Sequence, residues 1–133
     1  MALDVHLVTP EREVWAGPAE MVIAHGTDGM VGILAGHAPL LIRLSIAPIR
    51  IQLEEGRWVT AVVDGGFLHV TSGDEGTRVD VLADGGELEA EVDRDAARAL
   101  AERLAQQLST SEGQEELEAQ LARAKMRAEL AAR

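Results

Sequence analysis

The chain changes character at Asp84-Gly85-Gly86, and this change limits its architecture more than any other feature. Before it, short apolar runs alternate with polar residues. Leu3, Val5 and Leu7 alternate with Asp4 and His6; Ile49, Ile51 and Leu53 alternate with Arg50 and Gln52; Val79, Val81 and Ala83 alternate around Asp80. A period of two puts the apolar set on one face of a strand, so each run can bury that face. The runs are punctuated by Gly17-Pro18, Asp28-Gly29, Glu55-Gly56 and Asp64-Gly65-Gly66, each read as a turn. Glu55-Gly56 leads into residues 58–63 as a hairpin. So many short strands call for a sandwich or a barrel, because either one protects the open edges of a sheet.

After Gly86, β-branched residues almost vanish and the strong helix formers Ala, Glu, Arg, Leu and Gln take over. Asp93 or Asp95 is placed to cap a first helix, in which Ala97, Leu100, Leu104 and Leu108 share a face. Residues 109–113 break the pattern, and Ser111 with Gln114 has the spacing of a capping box. Leu117, Leu121, Ala124, Ala128 and Ala131 then recur at heptad-like intervals. The short connection favours an antiparallel α-helical hairpin. Two parts follow: residues 1–86, a β-rich domain, and residues 87–133, the hairpin.

Packing physics separates the two parts further. The helical stripes are thin and rich in Ala. At about 25 cal/mol per Å² they gain little by burial, and helices of this length are marginal alone. The hairpin must pack on the sheet domain, on a partner, or on each in turn. The β-rich part has few aromatic residues to draw on, Trp15, Trp58 and Phe67, so its core is built from Val, Ile, Leu and Ala.

A formal net charge of −11 argues against a nucleic-acid binder, which needs a basic face. The same charge opposes simple adhesion to anionic lipid. There is no cysteine, which removes disulfides and thiolate metal sites. No apolar run approaches the roughly 20 residues of a bilayer-spanning helix. Met1-Ala2-Leu3-Asp4 lacks the basic region of a signal peptide. A link to a membrane is therefore expected to run through another protein, without direct insertion.

Catalytic signals are weak. His6, His25, His37 and His69 show no metal-ligand spacing. Residues 26–32 are glycine-rich, but their spacing is that of neither a dinucleotide fingerprint nor a P-loop. Ser45 and Ser72 lack a nucleophile-elbow context. The carboxylates lie mostly on solvated helix faces, and no acid–base pair is legible.

One stretch is more specific. Gly29-Met30-Val31-Gly32-Ile33-Leu34-Ala35-Gly36-His37-Ala38-Pro39-Leu40 resembles the G-x-x-G-I-L-P-G-H-A-P-L segment of the epsilon subunit of F-type ATP synthases. Val8-Thr9-Pro10-Glu11, Trp15-Ala16-Gly17, Asp64-Gly65-Gly66-Phe67 and Val81-Leu82-Ala83-Asp84 agree at family-like spacing, so the resemblance covers the whole chain. It departs from the pattern at Ala35, where proline is usual, and at Ala47-Pro48, where a glycine-led turn is usual. It departs again at Gly85-Gly86 and at Met30, which takes a position often polar or acidic.

The resemblance implies a β-sandwich of two five-stranded sheets followed by the helical hairpin. It implies a non-catalytic rotor subunit that couples proton transport to ATP synthesis and restrains ATP hydrolysis through a mobile hairpin. The implied partners are the gamma subunit and the c-ring, with the alpha and beta subunits reached when the hairpin extends. The implied location is peripheral, on the cytoplasmic face of a bacterial membrane or the stromal face of a thylakoid. Docking to the stalk and c-ring is assigned to Met30, Ile33, Leu34, His37, Pro39, Leu40 and Ile42.

Some bacterial members bind ATP through an [I/L]-D-x-x-R-A motif. Asp95-Ala96-Ala97-Arg98-Ala99 is similar to it, although Arg94 replaces the leading Ile or Leu. Arg123 and Arg127 match the arginine spacing of the second helix, and Glu89 is a weaker match upstream. An i, i+4 pair of arginines suits a triphosphate. The alternative is ordinary ion pairing on exposed helices, such as Asp95 with Arg98. No cofactor is required, and ATP stands as a regulatory ligand. A second reading is a free-standing ATP-sensing module whose hairpin closes on nucleotide. A third, a ligand-binding sandwich enzyme, calls for a concave pocket with convergent polar groups.

Overall fold

The computed structural model of the chain describes residues 2–110 and 115–130. It divides into two units, Met1–Leu88 and Glu89–Arg133. The first unit holds eight strands: β1 (Leu3–Val8), β2 (Glu13–Ala19), β3 (Met21–Gly26), β4 (Gly29–Leu34), β5 (Leu40–Gln52), β6 (Trp58–Gly73), β7 (Gly76–Ala83) and β8 (Gly86–Leu88). Hydrogen bonding runs in the order β2-β1-β7-β6-β5-β3-β4, with β8 also on β6. Neighbours are antiparallel except β1 and β7, which are parallel.

Two long strands turn this one ladder into two layers. β5 has 13 residues and β6 has 16. Their pairing runs from Leu40↔Val70 to Leu44↔Gly66, skips Ser45, and resumes at Ile46↔Asp64. On one side of the skip lie β2, β1, β7, the second part of β6 and the first part of β5. On the other side lie β4, β3, the second part of β5, the first part of β6 and β8. The two expected five-stranded sheets therefore come from eight strands, two of them used twice. A single core joins them: Leu3, Val5, Leu7, Val79 and Val81 from one sheet, with Val22, Ile33, Ile49, Ile51 and Ala61 from the other.

The glycines at the crossing explain one difference from the sequence reading. Asp64-Gly65-Gly66 does not reverse the chain. It lies inside β6, where Gly65 and Gly66 take φ of 86° and 123°. These angles are open to glycine and strained for other residues. The freedom bends one strand between two sheets instead of closing a hairpin. Ala47-Pro48 likewise lies inside β5, and Gly17-Pro18 lies inside β2. β2 is an edge strand, where the missing proline N–H costs no ladder bond if it faces outward. Gly86–Leu88 pairs with β6, which carries the β unit two residues past the compositional switch.

The second unit is an α-helical hairpin of α1 (Arg94–Thr110) and α2 (Glu115–Leu130). Asp93 is the cap: its carboxylate accepts the Ala96 N–H at 3.0 Å, and its carbonyl accepts the Ala97 N–H at 3.0 Å. Asp95 sits in the first turn, where its charge favours the positive end of the helix dipole. Ala97, Leu104 and Ala124 are buried, whereas Leu100 is exposed despite its place in the expected stripe. The Ser111–Gln114 capping box and Ala131 lie outside the described residues.

Candidate functional site

The Gly36-His37-Ala38-Pro39 segment is a turn pinned to the β6–β7 hairpin. Gly36, at φ 86°, donates its N–H to the Thr77 hydroxyl at 2.7 Å. Ser72 donates its hydroxyl proton to the His37 carbonyl at 2.7 Å. Ser72 has one such proton, so in its 3.2 Å contact with Thr77 the Thr77 hydroxyl is the donor. The His37 N–H donates to the Leu34 carbonyl at 3.1 Å. His37 Nδ1 lies 2.8 Å from the Ala38 carbonyl, which can only accept, so that nitrogen carries the proton.

The docking residues read from sequence separate by strand phase. Met30 and Leu34 point outward from β4, 69% and 58% exposed, and Pro39 is exposed. Ile33 is a correction: it is fully buried in the core and offers no side chain to a partner. The alternation of a half-buried strand places it on the opposite face from Met30 and Leu34. Leu40 and Ile42 are half-buried against the core, so the outward residue between them is Leu41, 64% exposed. His37 is half-buried in its turn. Met30 and Leu41, with Asp28 and Arg43, line a shallow recess of ≈ 260 Å³ where the β3–β4 tip meets the start of β5.

A second exposed feature was missed from sequence. Arg43 pairs with Phe67, Phe67 with Leu82, and Leu82 with Val8, so four strands present one outward row. Phe67 and Leu82 are 44% and 53% exposed, and the Arg43 guanidinium lies 5.7 Å from the Phe67 ring centre. The legible signal was phase. With Leu68, Val70, Val79, Val81 and Ala83 inward, Phe67 and Leu82 occupy positions where a wet face takes polar residues.

Charged groups flank this row. His6 lies between Asp4 (3.0 Å) and Glu13 (3.5 Å). Arg78 Nε donates to both Asp80 oxygens at 3.1 and 3.0 Å. That hydrogen bond, and then the Asp80 charge, make the guanidinium hold its proton more tightly than usual.

On the hairpin, Asp95 and Arg98 are exposed on α1 and form no ion pair with each other among the described residues. Arg123 donates to Glu116 at 3.2 Å on its own helix, and Arg127 donates to the Arg123 carbonyl at 3.3 Å. Gln120 and then Arg123 bond the Glu116 carboxylate and hold its pKa below the usual glutamate range. Glu89 is half-buried in the short 3-10 turn Glu89–Glu91 that precedes α1. Among the described residues no group of three His, Asp or Glu is placed to hold a metal, and no helix is long and apolar enough to cross a membrane.

These features define a class: a β-sandwich that exposes several large apolar side chains, followed by a C-terminal helical hairpin. The family model for the ATP synthase delta/epsilon chain β-sandwich domain matches residues 2–89. The chain belongs to the ATP synthase epsilon chain family.

It is 42% identical over 107 residues to the epsilon chain of Brevibacillus brevis, spanning 80% of this chain and 78% of that one. It is 40% identical over 129 residues to the epsilon chain of a Synechococcus species, spanning 96% and 90%. Two solved structures share the fold. One is a cryo-EM structure of the Euglena gracilis mitochondrial ATP synthase OSCP/F1/c-ring, with TM-score 0.75, 21% identity, and 98% and 81% coverage. The other is the central stalk/c-ring of the Tetrahymena thermophila enzyme, with TM-score 0.60, 13% identity, and 98% and 97% coverage.

Proposed function

We propose that the chain is a non-catalytic central-stalk subunit of a rotary ATP synthase, coupling proton transport to ATP synthesis and restraining ATP hydrolysis through its hairpin. The observation that carries the reading is the family match over the β unit together with about two-fifths identity along nearly the whole chain. The exposed row Phe67–Leu82–Val8 and the Met30–Leu41 recess are the surfaces offered to the gamma subunit and the c-ring. Exposed apolar residues gathered on one rigid face are what a protein partner covers. The location that follows is peripheral, on the cytoplasmic or stromal face of the coupling membrane.

The hairpin acts as a two-state element. Few of its described side chains are buried, and two of the three are alanines, so little apolar contact holds it in one arrangement. A ligand shifts such an element only by binding one state better. ATP is the proposed ligand, held by Asp95, Arg98, Arg123 and Arg127, with Glu89 nearby in sequence. Arg123 would exchange its Glu116 contact for phosphate.

Co-expression with the gamma subunit of the same organism tests the main reading. A stable co-purifying complex is expected. A chain that elutes alone at micromolar concentration overturns it.

A further inference from the structure

Edge strands are liabilities, and proteins blunt them with charge, proline or brevity. β2 carries Glu13 and Pro18, and β8 has three residues. β4, Gly-Met-Val-Gly-Ile-Leu, has six residues with no charge and no proline, in a chain that is 26% charged. Among the described residues it ends the strand order and pairs with β3 alone.

The register shows which groups it leaves unpaired. Gly26 and Gly29 close the β3–β4 hairpin, so the hydrogen-bonded pairs are Gly26↔Gly29, Ala24↔Val31 and Val22↔Ile33. Met30, Gly32 and Leu34 therefore aim their N–H and C=O groups away from β3. The Leu34 carbonyl is taken by the His37 N–H. Met30 and Gly32 remain as a short template of ladder donors and acceptors, both exposed.

We propose that the free edge of β4 takes an added strand from a protein partner. The proposal rests on the reading of the chain as an assembly subunit. The occupant is an extended, uncharged backbone segment carrying one large apolar side chain. Backbone groups in ladder geometry select a strand. The lack of charge on β4 selects an uncharged one, since a charge there would lie unpaired against Met30 and Leu34. Gly32 sets the side chain: a Cβ built on it meets nothing within 4 Å, between the exposed Met30 and Leu34. A large apolar group on the neighbouring strand fills such a glycine gap. A second copy of β4 fits worse, because antiparallel self-pairing centred on Gly32 sets glycine against glycine.

Amide hydrogen exchange on the isolated chain and on the assembled F1–stalk complex tests this. The Met30 and Gly32 amides are expected to exchange freely alone and to slow on the order of 100-fold in the complex. Gly32→Pro removes only an outward N–H, so the chain should keep its urea midpoint while assembly weakens by about tenfold or more. If Gly32→Pro fails to fold, Gly32→Lys serves, placing the charge that natural edges use at a position whose Cβ stands in open space. A co-purifying complex in which both amides stay unprotected overturns the added strand and leaves the stalk reading standing. Equal protection in a concentrated sample of the chain alone makes the occupant a second copy and overturns the partner strand. Failure to co-purify overturns both.

Discussion

The Gly36 amide donates to the Thr77 hydroxyl at 2.7 Å across 41 residues of sequence. Thr77 is 5% exposed, and through Ser72 it also holds the His37 carbonyl. A segment with no regular structure of its own is thereby fixed to a β-hairpin between the exposed ends of β4 and β5.

Replacing Thr77 tests that anchor. Thr77→Val strips the partner from a backbone donor and should cost about 1–3 kcal/mol of stability. Thr77→Ser keeps the hydroxyl and should cost about 1 kcal/mol or less, through one lost methyl group. Urea denaturation of both variants checks the difference, and equal losses would mean that packing, not the hydrogen bond, dominates.

Gly66→Ala should be among the most damaging single changes in the β unit. A Cβ there would meet the Leu82 carbonyl and the Ala83 Cα, at a φ of 123°. Backbone strain of this kind costs about 1–3 kcal/mol before the clash is counted. Thermal melting should show a drop well beyond that of Gly32→Ala, whose Cβ would stand in open space.

Phe67→Asp and Leu82→Asp should leave the fold intact, because both side chains point away from the core. Each should weaken binding to the gamma subunit by about 2 kcal/mol or more, the size of an interface hot spot. Calorimetric titration reads the loss. Unchanged affinity in both would remove this face from the interface.

A chain ending at Leu88 should fold, since the core of the β unit is drawn entirely from residues before that point. The assembled complex should then hydrolyse ATP at least about twofold faster, if the restrained arrangement holds half the population or more. For the nucleotide, Arg98→Ala and Arg123→Ala should each weaken ATP binding to the intact chain by about tenfold, the worth of one charge-assisted hydrogen bond. No ATP-dependent heat at millimolar nucleotide would dismiss the site.

Glu116 supplies a pH signature. Its folded pKa is lowered by Gln120 and Arg123, so its contribution to hairpin stability is present above the unfolded value and lost as pH falls through the folded one. Carbon-detected titration should place its midpoint below the ordinary glutamate range. Arg123→Gln should move the midpoint back up.

Strand and helix periods were legible because they are local properties: a period of two buries one face, and a period near 3.6 aligns one stripe. Val5, Leu7, Ile49, Ile51, Val79 and Val81 are buried as their alternation requires. The turn signals were read less well. Asp64-Gly65-Gly66 and Gly17-Pro18 have turn composition yet lie in strands, because glycine permits a bend as readily as a reversal and proline is tolerated at an edge. Within the segment assigned to docking, Ile33 turns out to face the core, and the exposed Leu41 was overlooked. The phase of a strand is set by which side meets the core.

By itself the sequence determined the two-part construction, the aliphatic core and the family, since each rests on residue type and spacing along the chain. Only the tertiary structure decided that β5 and β6 each serve two sheets, that Phe67, Leu82 and Val8 form one row, and that β4 ends the sheet with the outward ladder groups of Met30 and Gly32 unpaired among the described residues. Those are relations between strands far apart in sequence. They depend on pairing order and register, which no local pattern encodes.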